Sequence, residues 1–168
     1  IYPEDLGIPL EAGARIIMQV HFSAAGGQAE PDTTRLLLSH TTEPPERELR
    51  TLPLAIRALD IPAGEPEVTV SKLFTNFAKQ PLSIDALTGH MHLLGKSIKA
   101  DMVRNDGSES CGLSIPKWDF DWQISYRFLE DKPVWLDPGD GIRVTCTYDN
   151  SQANQPVING VQPPPSCL

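Results

Sequence analysis

No run of apolar residues approaches the ~20 that a membrane-spanning helix needs, so the sequence predicts no membrane span. Positive charge is scarce. Fourteen Lys and Arg against 22 Asp and Glu leave a net charge of -8. That balance excludes a nucleic-acid binder, which needs a basic face. Aromatic residues make up only 7% of the chain. Uninterrupted helical stretches are missing as well, because 16 prolines punctuate 168 residues, about twice the usual ~5%, and proline breaks helices. There is no G-x-S-x-G nucleophile elbow. There is also no P-loop and no dinucleotide glycine fingerprint. Cysteine is limited to Cys111, Cys146 and Cys167. Their spacing makes no zinc knuckle, and three cysteines allow one disulfide with a thiol left over. In an acidic, proline-rich chain they point to an oxidising compartment. The start at Ile1-Tyr2-Pro3, without an initiator Met or a signal peptide, suggests a segment of something longer.

What is present is a period of two. In Arg15-Ile16-Ile17-Met18-Gln19-Val20-His21-Phe22, the residues Ile16, Met18, Val20 and Phe22 share one face, which reads as a strand. Residues 34–40 hold the apolar run Leu36-Leu37-Leu38. Residues 67–74 are rich in β-formers, and Ile142, Val144, Cys146 and Tyr148 alternate along residues 142–148. Turn signals separate these runs. They are Ile61-Pro62-Ala63-Gly64-Glu65, the hairpin signal Asn105-Asp106-Gly107-Ser108, and Asp137-Pro138-Gly139-Asp140-Gly141. Many short strands between such turns predict an all-β fold, a jelly-roll-like antiparallel β-sandwich. The glycine- and alanine-rich residues 24–32 are the best candidate boundary. It separates an N-terminal fragment, residues 1–27, from one all-β domain, residues 28–168.

Four histidines carry the candidate chemistry: His21, His40, His90 and His92. In an extended chain, His90 and His92 point one way and Met91 the other. Two imidazoles so spaced can grip one metal ion, and imidazole suits copper, zinc and iron alike. A third ligand has to come from elsewhere in the fold. The plainer alternative is a pair of surface histidines. His21 alone and His40 read as structural. Asp119 and Asp121 alternate with Trp118, Phe120 and Trp122. An amphipathic strand with a buried aromatic face explains that pattern better than acid–base catalysis.

Leu87-Thr88-Gly89-His90-Met91-His92-Leu93-Leu94-Gly95-Lys96 resembles the His-x-His-x-x-Gly-Lys/Arg segment of the copper type II, ascorbate-dependent monooxygenases. Three further segments resemble that family in the same order: Met18-Gln19-Val20-His21-Phe22, Ile61-Pro62-Ala63-Gly64-Glu65, and Asp137-Pro138-Gly139-Asp140 followed by Val144-Thr145-Cys146-Thr147-Tyr148. The resemblance implies two jelly-roll-like domains with one copper each. This chain would be the end of the first domain and most of the second. His90 and His92 would be ligands of the oxygen-binding copper. His21 would be the third ligand of the electron-transfer copper, whose adjacent His-His pair is absent here. The resemblance further implies C–H hydroxylation of a small-molecule substrate with O2, ascorbate as external reductant, an N-terminal copper domain as partner and a secreted or periplasmic location. It implies a Cys146–Cys167 disulfide, with Cys111 left over, and a structural role for Leu94-Gly95 in turning the chain past the site.

Two departures stand out. The family's oxygen-binding copper takes a methionine thioether from a Glu-Met-Cys segment. Here Ser166-Cys167 stands in the nearest place, unless that motif lies beyond Leu168. The peptide-amidating members carry an arginine two positions before the first histidine. Here that position is Thr88, which makes a peptide carboxylate a poor substrate. Three function classes follow from the sequence: a copper monooxygenase domain, a non-catalytic jelly-roll module without a complete copper site, and a zinc or other metal hydrolase.

Overall fold

The computed structural model describes residues 5–20, 31, 33–129, 131–157 and 160–166. They fall into two compact units, Ile1–Pro53 and Leu54–Leu168. The expected boundary after residue 27 lies within residues 21–30, outside the described residues.

In the first unit, β1 (Leu6–Gly7) and β2 (Arg47–Glu48) pair in parallel. Arg47 Nε donates to Asp5 Oδ2 at 2.6 Å beside that pair. Two expected strands are corrected here. Residues 15–20 and 33–40 are exposed and belong to no strand. Their apolar alternation is real, but a strand exists only with a partner strand for its backbone groups, and no described strand lies beside either segment.

The second unit holds the core. A four-stranded antiparallel sheet runs in the order β3 (Val68–Thr75), β10 (Gly141–Tyr148), β6 (Gly95–Val103), β7 (Glu109–Ile115). Two antiparallel pairs complete the unit: β4 (Leu82–Ile84) with β9 (Val134–Leu136), and β5 (Ala86–Thr88) with β8 (Ser125–Arg127). The core contains Ile98, Ala100 and Met102 from β6 and Ile142, Val144, Cys146 and Tyr148 from β10. Ile84, Leu87, Val134 and Leu136 from the smaller pairs pack against these side chains. Two layers around one core make the all-β antiparallel sandwich expected from the sequence. Each apolar side chain buried this way stabilises the unit by about 1.5–3 kcal/mol.

β10 is one of the two inner strands and follows its sequence pattern residue by residue. Ile142, Val144, Cys146 and Tyr148 are buried, and Arg143, Thr145 and Thr147 between them are half-buried. The expected turns also form. Gly64, Gly107 and Gly139 take φ of 86°, 83° and 93°, a region that L-residues with a Cβ rarely occupy. Burial pushes the Cys146 thiol up. Burial, and next the neighbouring Cys146, push the Tyr148 hydroxyl up to about 12. Among the described residues Cys111 and Cys146 carry free thiols, and Cys167 lies outside them.

Asn150 closes the end of β10. It is 0% exposed. Its Nδ2 donates to the carbonyl oxygens of Ile61 at 3.0 Å, Pro62 at 3.1 Å and Ser166 at 2.8 Å, while its Oδ1 accepts from Gln155 Nε2 at 2.9 Å. The 61–65 turn and the C-terminal segment are thereby fixed to the sandwich.

Candidate metal site

His90, Met91 and His92 lie between β5 and β6 in extended chain without strand pairing of their own. Their alternation is the expected one: both imidazoles are exposed and Met91 is only 3% exposed. The reason is steric and apolar. Gly89 is buried, and a Cβ there would sit 3.1 Å from Ile115 Cδ1 and 3.2 Å from Ile98 Cγ2. Gly95 lies equally close to Trp118 and Met91. The backbone is pressed onto the core at both ends of the segment, and Met91 is driven inward between them.

Beyond His92 the chain turns through Leu93 and Leu94, and Gly95 N–H donates to the His92 carbonyl at 2.9 Å. The Leu94 carbonyl accepts from Asp149 N–H at 2.9 Å. This is the turn past the site that the sequence suggested. The specific need for glycine is close approach to Trp118 and Met91 rather than an unusual φ.

The two imidazoles stand side by side, with ring centres 5.3 Å apart and planes at 84°. Two imidazoles on one ion, each bonded through a nitrogen at about 2.0–2.1 Å, place their ring centres on the order of 5 Å apart. The spacing therefore fits a shared ion, and two neutral imidazoles suit copper.

The pair is backed by residues 118–123. An amphipathic strand was expected there, with Trp118, Phe120 and Trp122 all buried. The structure corrects this: the segment is a turn. Asp119 Oδ1 accepts from Asp121 N–H at 2.9 Å, and the Asp119 carbonyl accepts from Trp122 N–H at 3.1 Å. An aspartate that bonds its own backbone two residues on favours a turn over a ladder. Only Trp118 reaches the core. Phe120 is 40% and Trp122 66% exposed. Asp119 and Asp121 are both exposed, so no buried acid–base pair arises. Among the described residues Trp118 Nε1 is a buried donor without a partner, a cost of about 1–3 kcal/mol that its packing has to offset.

Two neighbours of the histidines were not found from the sequence. The Phe120 ring centre lies 6.5 Å from that of His92, edge to face. Gln123 Oε1 lies 2.7 Å from His90 Nδ1. The only signal for Gln123 is register. β5 and β8 pair Ala86↔Arg127, Leu87↔Tyr126 and Thr88↔Ser125. Continuing that register two steps puts His90 opposite Gln123. Without the pairing, nothing in the sequence relates the two.

His21 lies outside the described residues. His40 is exposed in the first unit. Among the described residues no three His, Cys, Asp or Glu side chains cluster as a metal site. Within the Leu54–Leu168 unit no thioether completes it either: Met91 and Met102 are core residues at 3% and 2% exposure. The described residues thus fit one two-imidazole arm of a copper site and leave the other positions open.

Fold and site define an all-β antiparallel sandwich that presents two adjacent exposed imidazoles between its strands. This chain belongs to the copper type II ascorbate-dependent monooxygenases, because residues 58–163 match that family's C-terminal domain. The matched residues lie wholly within the Leu54–Leu168 unit and include His90, His92 and Gln123. The family depends on copper and ascorbate.

Proposed function

We propose that this chain supplies the oxygen-binding copper domain of a monooxygenase that hydroxylates a C–H bond with O2 and ascorbate. The observation that carries the reading is the side-by-side placement of exposed His90 and His92 within the family-matched segment. Copper bound there supplies the one-electron chemistry that O2-dependent hydroxylation requires. Few protein ligands suit that task, since open positions are needed for reactants.

The protein's own contribution is orientation and access. Gly89, Met91 and Gly95 hold the backbone against the core, so both imidazoles face outward. The Phe120 ring gives an apolar edge beside His92. At the position where peptide-amidating relatives place an arginine, Thr88 Oγ1 is hydrogen-bonded to Ser125 Oγ at 2.7 Å. This neutral pair offers no cation to a carboxylate. A peptide C-terminus is therefore disfavoured, and the substrate class proposed is a small molecule.

The rest of the proposal follows the family. An N-terminal copper domain is the partner, residues 1–27 are its end, and His21 is a ligand of its copper. The location is extracytoplasmic. Among the described residues no helix is long and apolar enough to cross a membrane.

Oxygen uptake by copper-loaded protein in the presence of ascorbate tests the reading. Wild-type protein consumes oxygen, and His90→Ala loses that activity. A second reading, a non-catalytic sandwich module, is favoured by the lack of a third clustered ligand among the described residues. Absence of both copper and ascorbate-dependent oxygen uptake in the full-length parent protein would decide for that module.

A further inference from the structure

We propose that Gln123 is a positioning residue for His90, fixing the imidazole as its Nδ1–H tautomer and leaving Nε2 as the nitrogen that meets a metal. The inference rests on the reading of His90 as a copper ligand, but its structural half stands on the hydrogen bonds alone.

The amide orientation is set from behind. Gln123 Nε2 donates to the Phe120 carbonyl oxygen at 2.7 Å. A carbonyl oxygen can only accept, so the NH2 end of the amide is committed to that side. The Oε1 end therefore faces His90 Nδ1, at 2.7 Å. An amide oxygen cannot donate, so the hydrogen between the two belongs to Nδ1. A neutral imidazole carries one N–H. With that hydrogen on Nδ1, the lone pair is on Nε2. The bond that one ring nitrogen makes thus dictates which nitrogen is left to ligate.

The support is rigid on both sides. The Phe120 carbonyl is held in the turn closed by the Asp119 side chain and by Trp122 N–H. The Thr88–Ser125 hydroxyl pair clamps β5 to β8 next to the site. The same turn brings the Phe120 ring beside His92. One loop thus supports both imidazoles.

The tautomer is readable without any metal. In metal-free full chain, at a pH where the ring is neutral, 15N NMR of His90 is expected to show a protonated Nδ1 and an unprotonated Nε2. Gln123→Leu removes the acceptor, and the ring should shift toward the Nε2–H form that a solvated histidine side chain prefers. Gln123→Glu keeps an acceptor and should keep the wild-type tautomer. Gln123 is exposed, so both variants should retain the wild-type circular dichroism. Copper affinity of Gln123→Leu should fall about 10–100-fold, the usual effect of losing such a support, and Gln123→Glu should recover most of it. Wild-type ring signals in a folded Gln123→Leu variant would overturn the inference. Wild-type protein that shows the Nδ1–H tautomer but binds no copper would leave the Gln123–His90 pairing intact and defeat the copper reading instead.

Discussion

At the scale of single residues, two glycines place the histidines. A Cβ on Gly95 would lie 2.8 Å from Trp118 Cδ1 and 2.9 Å from Met91 Cε. The methionine tip can swing aside, but the buried indole cannot. Gly95→Ala should therefore cost about 1–3 kcal/mol, the usual penalty for overpacking a well-filled core. A urea titration measures this as a lower midpoint at unchanged slope. Because Met91 is the residue between the histidines, the same substitution should weaken copper binding as well. A midpoint equal to the wild type would mean that Trp118 and Met91 do not hold the segment down. The inward turn of Met91 was legible in the sequence, because extended chain alternates whatever its partners. The contribution of Gln123 was not, since it depends on which strand lies alongside β5.

At the scale of elements, pairing decides which periodic segments become strands. Residues 142–148 and residues 15–20 show the same alternation. The first lie between β3 and β6, with backbone partners on both sides, and become β10. The second have no partner among the described residues and stay irregular. Residues 117–122 failed for a different reason: the turn chemistry of Asp119 outweighed the aromatic alternation. Turns were read more reliably than strands, because their glycines and aspartates act locally.

Asp140 shows this local action best, since it joins two turns. Its Oδ1 accepts from Asn105 N–H at 2.9 Å, and its Oδ2 accepts from Arg104 Nη1 at 2.9 Å and Asp137 N–H at 3.1 Å. The Arg104 hydrogen bond, foremost, holds its carboxyl below the usual range. A depressed folded-state value means that the stabilisation is fully present above the unfolded value, about 3.9. It is lost as pH falls through the folded value. Asp140→Asn should therefore be less stable than wild type at about pH 7, with the gap narrowing toward about pH 3. Denaturant midpoints of both proteins across that range provide the check. A gap that does not change with pH would remove the ionised carboxylate from the account.

At the scale of the whole molecule, the core cluster, the family match and the histidine pair all lie in the Leu54–Leu168 unit. Charge balance argued against a nucleic-acid binder, and the period-two alternation between turns pointed to the all-β sandwich. The His-x-His spacing named the candidate ligands. Their shared face and the inward turn of Met91 follow from the same alternation, whereas the turn behind them and the Gln123 contact come from tertiary packing, which a linear pattern does not encode. The central claim is that His90 and His92 together hold copper. The most direct test is a copper titration of the full chain beside His90→Ala and His92→Ala. The account predicts saturable copper binding by the wild type that either substitution weakens sharply. Copper binding of equal strength in all three proteins would contradict it.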